Sequence, residues 1–396
     1  MQLVDQGLIA LDAPVQVYIP WFTTADNALS SQITIRHLLN QTSGMADSSL
    51  RMYNISEHIT LEETVRYLSR AELTAIPGTT FNYFNPNYNA LAQVIEEVTG
   101  VDFATYLKTN VIAPLDMNNS FVELEPAQKA GVADGHSFFL GFPLTRQQPF
   151  YPSELPSGFV ITSAEDMAHY MIALINGGTY QQTQLISADA IQAMHTPPQG
   201  VESDYAMGWS AYERDGFRIV RHNGAVETFY AEVLLLPDQD IGITVLVNQN
   251  ALIPLLFAYG PIVDGLADTV LGGTSGRGPS LRFVYAILAL VILFDIARHI
   301  FSLTRLSKWW QRVKDRSRAR LVVGIILQHL LIPTVLMFVI LMMILTSGTF
   351  AARITLFYYL FDIALWLLIT SIFSVVIAVR KFQWVAKQRT QQHSPA

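Results

Sequence analysis

The 396-residue chain has no cysteine. That excludes a disulfide framework, a thiolate nucleophile and a cysteine metal site. No group of His, Asp and Glu stands at metal-ligand spacing either, so no metal or other cofactor is expected. The lysines lack something more specific: none has a serine three residues before it. Thr105 precedes Lys108, Pro126 precedes Lys129, Arg305 precedes Lys308, and Gln311, Ala378 and Trp384 precede Lys314, Lys381 and Lys387. A basic stretch is missing from the start, where the first basic residue is Arg36, so no signal peptide is legible. The opening "MQLVDQGLIALD" also lacks a helix cap. Met1, Leu3, Val4, Leu8 and Ile9 form an apolar side and Gly7 a stop, but no Ser, Thr, Asp or Asn precedes them. The expectation is a helix entered part-way along, with an export signal and further sequence upstream.

Acidic residues are scarce after Ser280, where only Asp295, Asp315 and Asp362 occur. What is there instead is apolar. Three segments, about 281–301, 321–345 and 354–379, are apolar enough to cross a bilayer. The loop between the first two carries Arg305, Lys308, Arg312, Lys314, Arg316, Arg318 and Arg320. The tail carries Arg380, Lys381, Lys387 and Arg389, whereas "TSGTF" between the second and third segments is uncharged. The positive-inside rule places the basic loop and the C-terminus in the cytoplasm and residues 1–280 outside. The expected division is a globular domain over 1–271, a Gly/Ser-rich linker over 272–280, a three-helix membrane region over 281–379 and a tail over 380–396. An acidic globular part is no nucleic-acid surface, so the expected partners are the bilayer and a small substrate. Asp295, Gln328, His329 and Asp362 are polar within the spans. Asp295 and His329 lie at similar depth and could pair, either as ordinary interhelical hydrogen bonding or as a proton-linked site.

Within 1–271 the pattern is mixed. "TLEETVRYLSRA" begins with Thr60 and Glu63 at capping-box spacing, and "TSAEDMAHYMIALINGG" repeats the device with Ser163 and Asp166. Glu165 and Asp166 read as acids at a helix start, not as a catalytic pair. "NPNYNALAQVIEEVTG" puts Tyr88, Leu91, Ala92, Ile95 and Val98 on one face and stops at Gly100. "FRIVRH", "FYAEVLLLP" and "IGITVLVNQ" are strand-like, and a helical run follows over 251–273. An α/β (α+β) domain with an antiparallel sheet and a helical subdomain is expected.

Several stretches, taken in order, resemble the class C β-lactamase and penicillin-binding-protein type of serine hydrolase. They are "ITIRHLLNQTSGM" (33–45, with Gln41 where His is usual), "IPGTTFNYFN" (76–85), "NVIAPLDMNNS" (110–120), "SGFVITSAEDMAHY" (157–170), "YAMGWS" (205–210) and "RHNGAVETFYAEVLLLPDQDIGITVLVN" (221–248). The resemblance implies a β-lactamase/DD-peptidase-like fold and acyl transfer through a covalent serine ester. It implies Tyr83 as proton-transfer residue, His222 and Gly224 as the third motif, and the Ala225 backbone N–H as an oxyanion donor. Asn85, Asn223 and Gly224 are implied substrate contacts. The family's Ser-x-x-Lys nucleophile segment is absent from this chain, and two N-terminal strands are implied to be absent with it, which would leave the strand 241–247 exposed at its edge.

Other roles are available to the same residues. Asn85 precedes Pro86, so it also suits a helix N-cap. Tyr83 is flanked by Phe81 and Phe84 and suits a core position, and His222 suits a strand surface. His37 and His136 have no partner pattern and read as structural. Glu227 and Thr228 stand where the family has Pro and Gly, which alters the groove beside His222. Three functions follow: an externally facing, membrane-anchored hydrolase of D-amino-acid peptides, β-lactams or small esters and amides; a non-catalytic binder of cell-wall peptides; or a membrane signalling module.

Overall fold

The computed structural model describes residues 1–49, 59–274, 278–331, 333–339, 342 and 358–392. It divides into two compact units. One holds Met1–His136, Thr145–Asn250 and Tyr259–Arg277; the other holds Ser137–Leu144, Ala251–Ala258 and Gly278–Ala396.

Nine strands occur among the described residues. β1 (His136–Phe139) pairs with β2 (Phe142–Thr145), and β3 (Thr179–Tyr180) with β4 (Thr183–Gln184). β5 (Tyr205–Ala206), β6 (Trp209–Arg214), β7 (Phe217–Ala225), β8 (Tyr230–Leu236) and β9 (Ile241–Val247) form one antiparallel sheet in chain order. β8 is buried on both faces, as its unbroken "VLLL" run requires. Val233 and Leu235 pack with Val220, Trp209, Met171 and Leu174, while Leu234 and Leu236 pack with Ile219, Val263 and Ala267. The helix Ala164–Ile175 therefore lies on one face and the helix Gly260–Val270 on the other, giving three layers. Gly242 permits this contact, since a Cβ there would stand 2.9 Å from Met171 Sδ. β9 pairs with β8 alone among the described residues.

A helical subdomain completes this unit around Val15, Ile19, Phe22, Ile33, Leu38, Met45, Leu68 and Ala90. Both sides of the capping box between Thr60 and Glu63 are formed, and Ser163 accepts from the Asp166 N–H. The helix Pro86–Thr99 stops at Gly100, which is left-handed. The opening segment is shorter than its pattern: the helix covers Gln2–Asp5, has no side-chain cap, and ends before Gly7 at φ 71°.

In the second unit, Leu281–Thr304 and Phe361–Lys387 are long and apolar enough to cross a membrane. Leu252–Val270 also satisfies length and composition, although Val263 and Ala267 are fully buried against the sheet. The expected span 321–345 is not one straight helix. Arg318–Leu330 and Pro333–Val339 meet at a bend of 47° and satisfy the criterion as a pair. The cause is Pro333, which has no N–H to donate and crowds the carbonyl of His329 four residues back. Ile326–Leu330 widens into a π turn just before it. Positions 340, 341 and 343–357, with the "TSGTF" loop and the start of the third expected span, lie outside the described residues, as do 275–277 of the linker.

Asp295 and His329 do not pair. Asp295 accepts from Arg298 Nη2 (2.7 Å), Thr370 Oγ1 (3.0 Å) and Trp366 Nε1 (3.2 Å). His329 Nε2 meets Lys381 Nζ at 2.8 Å, and His299 Nε2 meets Ser374 Oγ at 3.0 Å. Thr370, Ser374 and Lys381 share one side of a helix, so the polar contacts form a stripe between helices.

Candidate active site

The site is built where the loop before the helix Pro86–Thr99 meets the end of β7. Gln41 holds that loop from below. It is fully buried in a left-handed conformation (φ 57°), and its Oε1 accepts from the Phe84 N–H (3.0 Å) and Asn87 Nδ2 (2.6 Å). Its carbonyl accepts from the Asn82 N–H at 2.8 Å. The residue substituted for the family's usual His is thus the loop's anchor. With Phe84 and Asn87 fixed inward, Tyr83 and Asn85 are left pointing out, and both are exposed. Asn85 sits at the N-cap position, yet its side chain makes no capping bond and its backbone is already helical. The Asn87 and Tyr88 N–H groups that a cap would serve instead donate to the Phe84 and Asn85 carbonyls (3.0 and 2.9 Å), so the Asn85 amide is left without a capping role.

Tyr83 stacks edge-on to Tyr205 with ring centroids 6.0 Å apart, and lies 6.5 Å from the His222 ring. Tyr205 closes the triangle at 6.2 Å from His222 and also touches Phe81 at 5.2 Å. Tyr205 had been visible only as part of "YAMGWS"; its neighbours are far away in sequence, so no spacing signal assigned it. Behind it, Tyr88 donates from its hydroxyl to the Leu39 carbonyl (2.9 Å), and Gly208 at φ 98° makes room for that hydroxyl.

Alternation along β7 sorts the third motif. His222 and Gly224 share one face, and Asn223 and Ala225 the other. Asn223 is opposite Glu232 and its side chain bonds Tyr230, beside the buried network in which Arg221 pairs with Glu232 and with Asp264. The Asn223 side chain therefore faces away from His222. Pairing of β6 with β7 ends at Ser210 and Arg221, so no strand covers His222–Ala225 on that side among the described residues. This uncovered edge is where an extended substrate backbone can lie.

Electrostatics favour neutral groups. Burial, and then the Asp47 carboxylate, raise the Tyr83 pKa above the ordinary phenol value. Burial lowers the His222 pKa, partly offset by a hydrogen bond to the Gly208 backbone. Both shifts favour the neutral forms, a phenol facing an imidazole.

Glu227 and Thr228, at the turn after Ala225, are almost fully buried. Gln148 Nε2 donates to Glu227, while Gln148 Oε1 accepts from the Thr228 N–H (2.9 Å) and hydroxyl (2.7 Å). Gly135 lies against Thr228, where any Cβ would clash with Oγ1 at 2.1 Å. Asn250 Nδ2 donates to the Val226 carbonyl at 2.7 Å. The turn that departs from the family is tied down to segments 135–148 and 250.

The remaining candidates are structural. His37 sits in a capping box with Thr34, and His136 Nδ1 meets the Asn248 carbonyl at 3.1 Å. Asp166 accepts from the Asn119 N–H and Ser120 Oγ. Among the described residues no group of three or more His, Asp and Glu can hold a metal. An apolar cavity of about 300 Å³, lined by Leu3, Leu91, Val94, Tyr170, Leu174 and Met207, lies apart from the Tyr83–His222 pair and lacks its chemistry.

The fold and this constellation are those of the β-lactamase/penicillin-binding-protein-like serine hydrolase family, and the sequence comparison agrees. The family model Beta-lactamase matches residues 1–259, and the chain belongs to that family. It is 27% identical over 252 residues to Protein flp of Staphylococcus aureus, covering 63% of this chain and 50% of that protein. It is 27% identical over 259 residues to Putative beta-lactamase-like 1 of Homo sapiens, covering 62% and 50%. The chain thus spans about half the length of the curated relatives it matches. Among solved structures, the octameric penicillin-binding protein homologue from Pyrococcus abyssi superposes with a TM-score of 0.57 at 26% identity, covering 73% of this chain and 66% of that one. A D-stereospecific amidohydrolase from Streptomyces sp. shares the fold at a TM-score of 0.52 and 22% identity, covering 62% and 77%.

Proposed function

We propose that this protein is a membrane-anchored member of the family, with its groove outside the cell, that engages D-amino-acid peptides, β-lactams or small esters and amides. The observation that carries the reading is the meeting of Tyr83, Tyr205 and His222 beside the uncovered end of β7. The same groups in an acyl-transfer enzyme need an activated nucleophile. This chain has no Ser-x-x-Lys, so the residues it does carry supply a groove that binds such molecules reversibly and no serine–lysine pair to acylate. The helices Leu281–Thr304 and Phe361–Lys387 supply the anchor, with the basic loop and C-terminus cytoplasmic.

The test is a fluorescent penicillin added to the full chain in detergent or nanodiscs. The expected result is a rise in fluorescence anisotropy that disappears on denaturation. An adduct that survives a denaturing gel overturns the non-acylating reading. Absence of reversible binding overturns the groove itself.

A further inference from the structure

Two parts of the family-matched region group with the membrane helices, Ala251–Ala258 and the hairpin Ser137–Leu144 at the heart of β1–β2. Its turn is Leu140–Gly141, both at positive φ (50° and 85°), the signature of a two-residue hairpin loop. Leucine is costly in that conformation, so the turn needs outside support. The Leu140 N–H donates to Asp362 Oδ2 at 2.9 Å, and Asp362 is itself buried. Gly141 lies so close over the Tyr285 ring that a Cβ would approach it to 3.1 Å. Phe138 meets Tyr285 edge-on at 5.5 Å, and Phe139 meets Phe361 at 6.0 Å.

These contacts set a depth. Phe361 and Asp362 begin one helix, and Tyr285 is the fifth residue of Leu281–Thr304, about 6 Å along its axis. Both places lie at the helix ends opposite the basic residues of 305–320 and 380–389. Phe142, the first residue of the returning strand, is 72% exposed. An exposed apolar ring held beside the outer ends of apolar helices gains by leaving water for the bilayer interface.

We infer that the hairpin Ser137–Leu144 is a second membrane contact of the hydrolase region, pinned by Asp362 and presenting Phe142 to the outer interface of the bilayer. The inference rests on the membrane reading of the helices.

The chain has no cysteine, so single cysteines can be labelled uniquely. Full-length Phe142→Cys, Phe283→Cys (65% exposed near the start of its helix) and Lys129→Cys (on an exposed ion-paired helix) are labelled with a small fluorophore in nanodiscs. Lipids brominated near the carbonyl end are the quencher. The 142 label is expected to be quenched as strongly as the 283 label, and the 129 label not at all. Asp362→Ala should lower quenching at 142 and leave 283 unchanged. If 283 is quenched and 142 behaves like 129, the inference is overturned and the membrane reading stands. If 283 is not quenched either, both fall.

Discussion

In the five-stranded sheet Ile219, Val220, Leu234 and Leu236 are fully buried, and the more exposed ion pairs lie toward its margins, the buried Arg221–Glu232 pair between β7 and β8 being the exception. In the helices Leu281–Thr304 and Phe361–Gln392 the order is reversed. His299, Thr370, Ser374 and Lys381 are buried, while Phe283, Leu290 and Phe294 are more than 60% exposed. Water removes apolar surface from itself and so fills the sheet's interior with it. Hydrocarbon gives no such drive, and there the polar groups seek each other between helices. On the proposed membrane reading, each unit's interior reports the solvent around it.

Four changes probe this contrast. The largest effect is expected in the sheet: Leu234→Ala opens a cavity between β8 and the helix Gly260–Val270 and should cost about 3 kcal/mol in denaturant titration of the full chain in detergent. A lipid-facing truncation of the same kind, such as Phe294→Ala, should cost far less. If the two costs are equal, the contrast is wrong.

The next concerns His195. Burial holds its pKa down to about 4, with a smaller push from Arg218, and its Nε2 is buried without a partner. Below an unfolded pKa of about 6.5 the unfolded chain takes up the proton and the folded one does not, so stability falls as pH drops from 6.5 to 4. The loss should approach about 3 kcal/mol at pH 4 and level off below. His195→Phe should remove that slope from the pH–stability profile.

Third, Lys381→Met leaves His329 with neither ring nitrogen paired. The cost should be about 1 kcal/mol in thermal unfolding in detergent. His329→Leu added to it should recover most of that loss, because two apolar side chains leave no orphaned polar group. Last, Asn85→Ala should change stability by less than about 0.5 kcal/mol, since the side chain caps nothing. It should nonetheless weaken reversible penicillin binding about tenfold, the worth of one substrate hydrogen bond.

Much of this was legible along the chain. The strands β7 to β9, the capping box at Thr60, the stop at Gly100 and the positions of Tyr83, Asn85 and His222 follow from local periodicity and motif order. Tyr205 as the third ring, Gln41 as the loop anchor and the Gln148 clamp on Glu227 were not legible. Each depends on a partner dozens of residues away, and pattern reasoning sees only neighbours. The same holds in the membrane unit: apolar length located the helices, but Pro333 and its π turn altered the middle one, and equal depth wrongly suggested a link between Asp295 and His329.

By itself, the sequence determined which residue types are present and where they repeat. That was enough for the fold class, for marking Tyr83, Asn85 and His222 as site candidates, and for the lack of a Ser-x-x-Lys. Only the tertiary structure decided which faces meet. It set Leu140 over Asp362, a separation of 222 residues. Local order follows from backbone geometry that each residue carries with it, whereas partners across such distances are chosen by packing alone.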